Sequence, residues 1–292
     1  LVAGPRGVFA ATIPSGKIFR LSAGKAELYA TLPGAEHVWA LAYDKGMASL
    51  FAATGPEGKV FRLGPDGAPS VYYKSNEPHL VSLAVDDKTG DLFAGSSGKA
   101  ILFRITGPGR ATVVADLPGD EVKGIATQGG VVWAIANEHP EPPEPPKRNN
   151  AAAGRSAAGP STAPRPKPGK GSLYRFDEAG RGERLLHHAD FHYTALALDE
   201  RGAPYVGTGA EGRVYTVDDH HRATLLADTE ERAIGAVALA GKARFVVGSD
   251  PAVFHRVVSQ GGADAVWTSK ALDAGLRARF GQLSWRATGP LT

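Results

Sequence analysis

The chain has 292 residues, 42% of them hydrophobic, with 33 Lys and Arg against 30 Asp and Glu and no cysteine. The missing thiols exclude a disulfide framework, a thiolate zinc site, an iron–sulfur cluster and a cysteine nucleophile. Apolar runs stop after a handful of residues, too short for a transmembrane helix.

The chain then reads as a repeat. The first predicted hairpin is Phe9-Ala10-Ala11-Thr12 followed by Gly16-Lys17-Ile18-Phe19-Arg20-Leu21, with no inner strand expected before it. It returns 42 residues later as Phe51-Ala52-Ala53-Thr54 and Gly58-Lys59-Val60-Phe61-Arg62-Leu63. The third copy is Phe93-Ala94-Gly95-Ser96 with Leu102-Phe103-Arg104-Ile105. The fourth opens at Trp133-Ala134-Ile135-Ala136 and resumes at Gly171-Ser172-Leu173-Tyr174-Arg175-Phe176. The fifth is Tyr205-Val206-Gly207-Thr208 with Gly212-Arg213-Val214-Tyr215, and a worn sixth runs from Phe245 to Val257.

Between these hairpins a small-residue phrase recurs, as in Val38-Trp39-Ala40-Leu41-Ala42 and Leu80-Val81-Ser82-Leu83-Ala84. A fourth phrase follows each hairpin, as in Thr112-Val113-Val114-Ala115. Each unit thus predicts four short strands punctuated by turns such as Thr89-Gly90 and Gly64-Pro65-Asp66-Gly67. Four antiparallel strands every 40 to 42 residues describe one blade of a β-propeller. The expected fold class is therefore all-β, with six blades visible in a six- or seven-bladed ring. A solenoid is the other architecture, but its repeats are usually shorter. The expected domains are a propeller over residues 1–268 and a C-terminal linker, or the start of a further β domain, over residues 269–292.

The fourth repeat carries an insertion over residues 138–170. Phe9 and Phe19 lie 10 residues apart, whereas Trp133 and Tyr174 lie 41 apart. The insert holds nine of the 21 prolines, a composition that cannot bury enough apolar area to offset its ordering entropy. It reads as a disordered loop; as a functional segment it would be a polyproline tether, with Pro142-Pro143-Glu144-Pro145-Pro146 as the contact. The insert also holds six basic and three acidic residues, leaving 27 of each elsewhere. The net charge of +3 thus sits on the insert, and a neutral folded body argues against nucleic acid as a partner.

One column of residues carries metal-type chemistry. Aligning the inner strands on Leu41, Leu83, Ile125, Leu196 and Val237 puts His37, His79, Glu121, His192 and Ala233 four positions earlier. In a propeller, such positions form a ring at one height around the axis. Imidazole and carboxylate suit a divalent metal, so His37, His79, Glu121 and His192 are the candidate ligands. Duplication of one ancestral histidine in a structural role explains the column equally simply. Glu36, Trp39 and Glu77 are the candidate contacts for a partner at the channel mouth. His187-His188 and His220-His221 read as solvated, and the column Arg20, Arg62, Arg104, Arg175 and Arg256 as blade-edge pairing. Gly207-Thr208-Gly209-Ala210-Glu211-Gly212 fits a dinucleotide pattern only nominally, since it falls in a hairpin and not at a strand-to-helix turn.

The run from Val38 to Ala42, with Leu50 to Leu63 after it, resembles bacterial NHL-type or regulator-type propeller repeats. Such repeats occur in large envelope or secreted proteins, notably of myxobacteria. Residues 269–286 resemble the passage from such a propeller into a following β-sandwich. The resemblance implies an extracytoplasmic binding or scaffold module that meets another protein or a small polar ligand and needs no cofactor. A more distant similarity is to calcium-dependent sugar lactonases and streptogramin lyases, propeller enzymes with axial metals. It implies the alternative, a metal-dependent enzyme using the His37, His79, Glu121 and His192 column. The lactonase pattern of Glu, Asn and Asp on the inner strands is not evident.

Overall fold

The computed structural model describes residues 1–5, 7–140, 169–218, 220–241 and 243–257. Every regular element among them is a β-strand. Blade one comprises β1 (Val2–Gly4), β2 (Gly7–Ala11), β3 (Lys17–Ser22) and β4 (Lys25–Thr31). Blade two comprises β5 (His37–Asp44), β6 (Ser49–Gly55), β7 (Lys59–Leu63) and β8 (Pro69–Lys74). Blade three comprises β9 (His79–Val85), β10 (Leu92–Ser97), β11 (Ala100–Gly107) and β12 (Arg110–Leu117). Blade four comprises β13 (Glu121–Gln128), β14 (Val131–Glu138), β15 (Lys170–Phe176) and β16 (Gly182–His188). Blade five comprises β17 (Tyr193–Leu198), β18 (Pro204–Thr208), β19 (Arg213–Val217) and β20 (Ala223–Asp228). Blade six shows β21 (Ala233–Ala240), β22 (Ala243–Ser249) and β23 (Val253–Val257).

Within each blade consecutive strands pair antiparallel, and the inner strands β5, β9, β13, β17 and β21 pack one after another. This is the propeller arrangement predicted from the repeat. Blade one does have an inner strand, contrary to expectation: Val2, Ala3 and Gly4 pair with Phe9, Val8 and Gly7. Three residues are too few for a period-2 pattern to register. The insertion falls in the β14–β15 connection, whose last rung is Glu138 to Lys170. Residues 141–168 and the expected C-terminal segment at 269–292 lie outside the described residues.

The joint between blades is made the same way each time. Each inner strand turns one large side chain back into the preceding blade: Val38, Leu80, Val122, Tyr193 and Ile234, all buried. Each joins the apolar cluster of the blade before it. Small residues make room, on the second strand in blades three and five and at Gly171 of the third strand in blade four. A Cβ on Gly95 would lie 2.6 Å from Val122 Cβ, and one on Gly207 would lie 2.6 Å from Ile234 Cγ2. Directly after each wedge the inner strand bulges, leaving Trp39, Val81, Lys123, Thr194 and Gly235 unpaired against the second strand. An extra residue bends the strand and re-aims its side chains. Polar groups tie the joints further: Ser82 Oγ donates to the Val122 carbonyl at 2.6 Å, and Thr127 Oγ1 to that of Val85 at 2.7 Å.

Arg20, Arg62, Arg104 and Arg175 of the arginine column pair within their own blades, as expected. Arg20 reaches Glu27 at 3.0 Å and Arg104 Nε reaches Asp91 at 2.7 Å, while Arg175 lies over the Trp133 ring. The inner strands of blades two, three and five lead into Asp44, Asp86 and Asp199, which cap the following turns. Asp86 accepts from Lys88 N at 3.0 Å, Thr89 N at 2.8 Å and, across the joint, Gly130 N at 3.0 Å.

The wedge account makes a stability prediction. Leu80→Ala removes a fully buried side chain and is expected to cost roughly 2–5 kcal/mol. Val113→Ala, on an exposed face, is expected to change stability by about 0.5 kcal/mol or less. Urea denaturation of the two variants checks the contrast.

Candidate functional site

The wedge residue fixes what comes before it. Because Val38, Leu80, Val122 and Tyr193 point into the joints, His37, His79, Glu121 and His192 are left at the inner-strand starts on one rim. The predicted column therefore exists as a column of positions. Its side chains divide into two groups.

The first group is His37, Trp39 and His79. The His37 and Trp39 rings stack with centroids 5.0 Å apart and planes 16° apart. Trp39 Nε1 donates to His79 Nδ1 at 3.2 Å, a bond that needs this nitrogen unprotonated. The two imidazoles lie edge to face, centroids 6.0 Å apart, and His37 Nδ1 is buried without a hydrogen-bond partner. Gly55, at the end of β6, permits the packing: a Cβ there would lie 2.0 Å from His79 Nδ1 and 2.9 Å from Trp39 Nε1. The outcome is an indole 40% exposed and held on both sides.

The second group is Glu121, Asn137, His139 and His192. Asn137 is fully buried; its Nδ2 donates to Glu121 Oε1 at 3.0 Å and to the Tyr193 carbonyl at 2.8 Å. Its Oδ1 accepts from Tyr193 N at 2.9 Å. His139 Nε2 lies 3.0 Å from Glu121 Oε1, and its backbone N donates to Asp120 Oδ2 at 2.6 Å. Burial pushes the Glu121 carboxyl up, but the Asn137 bond, the Lys123 charge and the His139 bond together hold it below its usual value. His192 packs edge to face on His139 at 5.5 Å and folds over Gly209, where a Cβ would lie 2.0 Å from Nε2. Burial, and then the neighbouring His139, lowers the His192 pKa.

At the fifth column position, Ala233, the chemistry moves two residues back. Glu231 lies 2.9 Å from His255 Nε2 and is held acidic by Thr229 and His255. Glu36 is exposed and contributes backbone bonds: its N–H donates to the Gly55 carbonyl at 3.1 Å, and its carbonyl accepts from Ser15 N at 2.9 Å. Glu77 is half-buried, and its carbonyl accepts from Ser75 Oγ at 2.8 Å. His188 departs from the solvated reading. It packs on Phe191 and Tyr215, and its Nδ1 lies 2.7 Å from the Tyr193 hydroxyl.

Among the described residues no three His, Asp or Glu side chains gather where one metal ion could touch them all. As placed, the four column residues do not fit the axial metal that the enzyme resemblance implies. Glu121 is committed to Asn137 and His139, and the near nitrogen of His79 to Trp39. Sequence reasoning missed Asn137 and His139, on the second strand of blade four and just beyond it. It also missed Gly55 and Gly209. The small-residue breaks in a strand pattern were the available signal for the glycines. A cavity of about 140 Å³ between blades three and four offers no rival centre. Its Asp86 is the turn cap already described, and its Arg104 is paired with Asp91.

His192 gives the rim a pH dependence. Its folded pKa lies below the 6.5 of the free group, so the unfolded chain binds more protons just below that pH. Its contribution is complete above about 6.5 and is lost as pH falls through the lowered folded value. Stability is therefore expected to decline below pH 6.5, with a shallower decline in His192→Gln, read by urea denaturation at stepped pH.

No protein-family model and no curated protein matches the sequence. Solved structures do. A selenomethionine-substituted virginiamycin B lyase from Staphylococcus aureus superposes with a TM-score of 0.63 at 14% identity, covering 87% of this chain and 81% of that one. A streptogramin B lyase gives 0.59 at 13% identity, covering 90% and 86%. A nidogen/laminin complex gives 0.55 at 14% identity, covering 82% and 85%. At these identities the similarity is one of fold: the chain is a β-propeller.

Proposed function

We propose that this propeller is a binding module that receives a protein partner or a small polar ligand at the rim formed by its inner-strand starts. The observation that carries the reading is Trp39. Its indole is exposed, stacked on His37 and hydrogen-bonded to His79. An aromatic side chain held in place before binding loses little entropy on contact and serves as an anchor. Glu121 and His139 are occupied by one another and the near nitrogen of His79 by Trp39, which suits recognition more than turnover. Glu36, three residues before Trp39, and Glu77, two residues before His79, favour a partner with donor or basic groups.

Propellers similar in fold occur both in a protein–protein complex, of nidogen with laminin, and in lyases. The alternative, a metal-dependent lyase or lactonase, would need the two rim groups to rearrange around an ion. We read the repeats as NHL-type and the module as extracytoplasmic, on the resemblance of the repeats and the lack of cysteine. No helix among the described residues is long and apolar enough to cross a membrane.

A panel of basic peptides and neutral oligosaccharides, titrated against the whole chain by calorimetry, tests the reading. A panel member that binds is expected to lose on the order of tenfold or more in affinity with Trp39→Ala, at an unchanged melting temperature. Unchanged affinity in that variant would move the site off the rim. Stoichiometric metal lost with His37→Ala/His79→Ala, or turnover of a panel member, would favour the enzyme.

A further inference from the structure

At the end of the molecule opposite the rim, one joint is built unlike the others. Three columns of the repeat meet there: the second-strand ring, the residue that bulges from the fourth strand, and the inner-strand residue two past the Leu41 position. In successive joints they read Phe9, Tyr29 and Tyr43; Phe51, Tyr72 and Val85; Phe93, Val114 and Thr127; Trp133, Leu185 and Leu198; Tyr205, Leu226 and Leu239. Among the described residues, only the joint of blades one and two brings three aromatic rings together. In the next joint Tyr72 is buried on Phe51, centroids 5.0 Å apart. Tyr29 and Tyr43 instead stay half-buried, and with Phe9, Arg20, Pro5 and Pro65 they line a cavity of about 250 Å³. The rings are set in advance. Tyr43 lies parallel to Phe9 within 12° at 6.3 Å, and Tyr29 lies 4.8 Å from the same ring. The Tyr29 hydroxyl donates to the Gly64 carbonyl at 2.5 Å, and a Cβ on Gly4 would lie 2.5 Å from Phe9 Cε2. Arg20 Nη2 holds the exposed Glu27 at 3.0 Å. The Tyr43 hydroxyl, Arg20 Nε and Arg20 Nη1 make no hydrogen bond among the described residues. The slot thus offers ring faces and unused donors, and its lining holds no carboxylate. The clefts at two other joints do: Asp86, Asp177 and Glu178 between blades three and four, and Asp218 between blades four and five.

We propose that this slot docks the segment Pro142-Pro143-Glu144-Pro145-Pro146 from the insertion of a second copy of the chain. A polyproline II segment presents pyrrolidine rings and solvated carbonyls, and its prolines have no N–H to satisfy. That is the complement of ring faces and donors, and a stiff segment loses little entropy on docking. Charge selects the half of the insertion that fits. The early prolines alternate with Glu141 and Glu144, whereas Pro164, Pro166 and Pro168 alternate with Arg165 and Lys167. The Arg20 guanidinium favours the acidic half. Reach makes the contact intermolecular. The insertion leaves blade four at the rim, beyond the Glu138 rung. From Pro140 to Pro146 a chain spans at most about 20 Å. The eight residues of β14 alone cover roughly 25 Å from the slot's end of the molecule to the rim. Slot and segment are different patches, so the association runs head to tail.

A capped peptide of residues 140–146, titrated against the whole chain by calorimetry, is expected to bind, and on the order of tenfold more weakly to Tyr43→Val. Blade three carries Val85 at this position, so the variant is expected to keep its melting temperature. A capped peptide of residues 160–168 is expected to bind more weakly than the acidic one, and Trp39→Ala to leave both unchanged. In sedimentation equilibrium the whole chain is expected to gain mass with concentration. Excess acidic peptide should disperse that gain, and Tyr43→Val and Pro142→Ser/Pro143→Ser/Pro145→Ser/Pro146→Ser should each lose it. No binding of the acidic peptide, equal binding by Tyr43→Val, or tighter binding of the basic peptide would overturn the proposal. A chain that stays monomeric well above the peptide Kd would overturn it in favour of a proline-rich segment from another protein. Association that persists in the four-serine variant would place the contact elsewhere and overturn it too.

Discussion

Each blade depends on one buried side chain that belongs to its successor. Val38, Leu80, Val122, Tyr193 and Ile234 leave their own sheets and fill notches in the sheet before. The contact couples two otherwise separate four-stranded sheets, and a lone sheet of this size has too little core to stand by itself. The receiving strands are trimmed to admit the wedge. Blades one, two, three and five carry Ala11, Ala53, Gly95 and Gly207 on the second strand. In blade four, with Ile135 there, Gly171 on the third strand makes room for Tyr193. Close packing makes the pairing unforgiving: a methyl added at Gly95 or Gly207 meets the wedge at 2.6 Å.

The wedge also sets the geography of the rim. With one residue committed to the joint and a bulge directly after it, the residue before the wedge stands at the strand start. That position is free to vary, and here it has become His, His, Glu, His and Ala. Its neighbours decide what each does. Gly55 lets Trp39 and His79 close on one another, while Asn137 and His139 draw Glu121 into a separate network. Blades with one backbone plan thus hold two unlike polar groups side by side. The fold fixes the stage, and side chains from adjoining strands fix the chemistry.

The two ends of the blade series follow from the same rule. A repeat whose units are completed by their neighbours has a satisfied interior and exposed termini unless something caps them. Val60 of blade two is 0% exposed, whereas Phe254, at the same register of blade six, is 66% exposed. The insertion shows how little it restricts the loops: about 31 residues enter between Glu138 and Lys170 while the rung that joins them stays in register.

The repeat could be read from the sequence because strand pattern and turn chemistry are local properties, copied every 42 residues. The blades, the insertion point and the rim column all followed from them. β1 did not, since three residues carry no period. Nor did the partners of the column: Asn137 lies 16 residues from Glu121 and 56 from Tyr193, yet bonds to both. The sequence by itself determined which residues share a height on the propeller. Only the tertiary structure decided which of them touch, because contact across a joint depends on how far each wedge sinks into its notch and where the following bulge aims the chain.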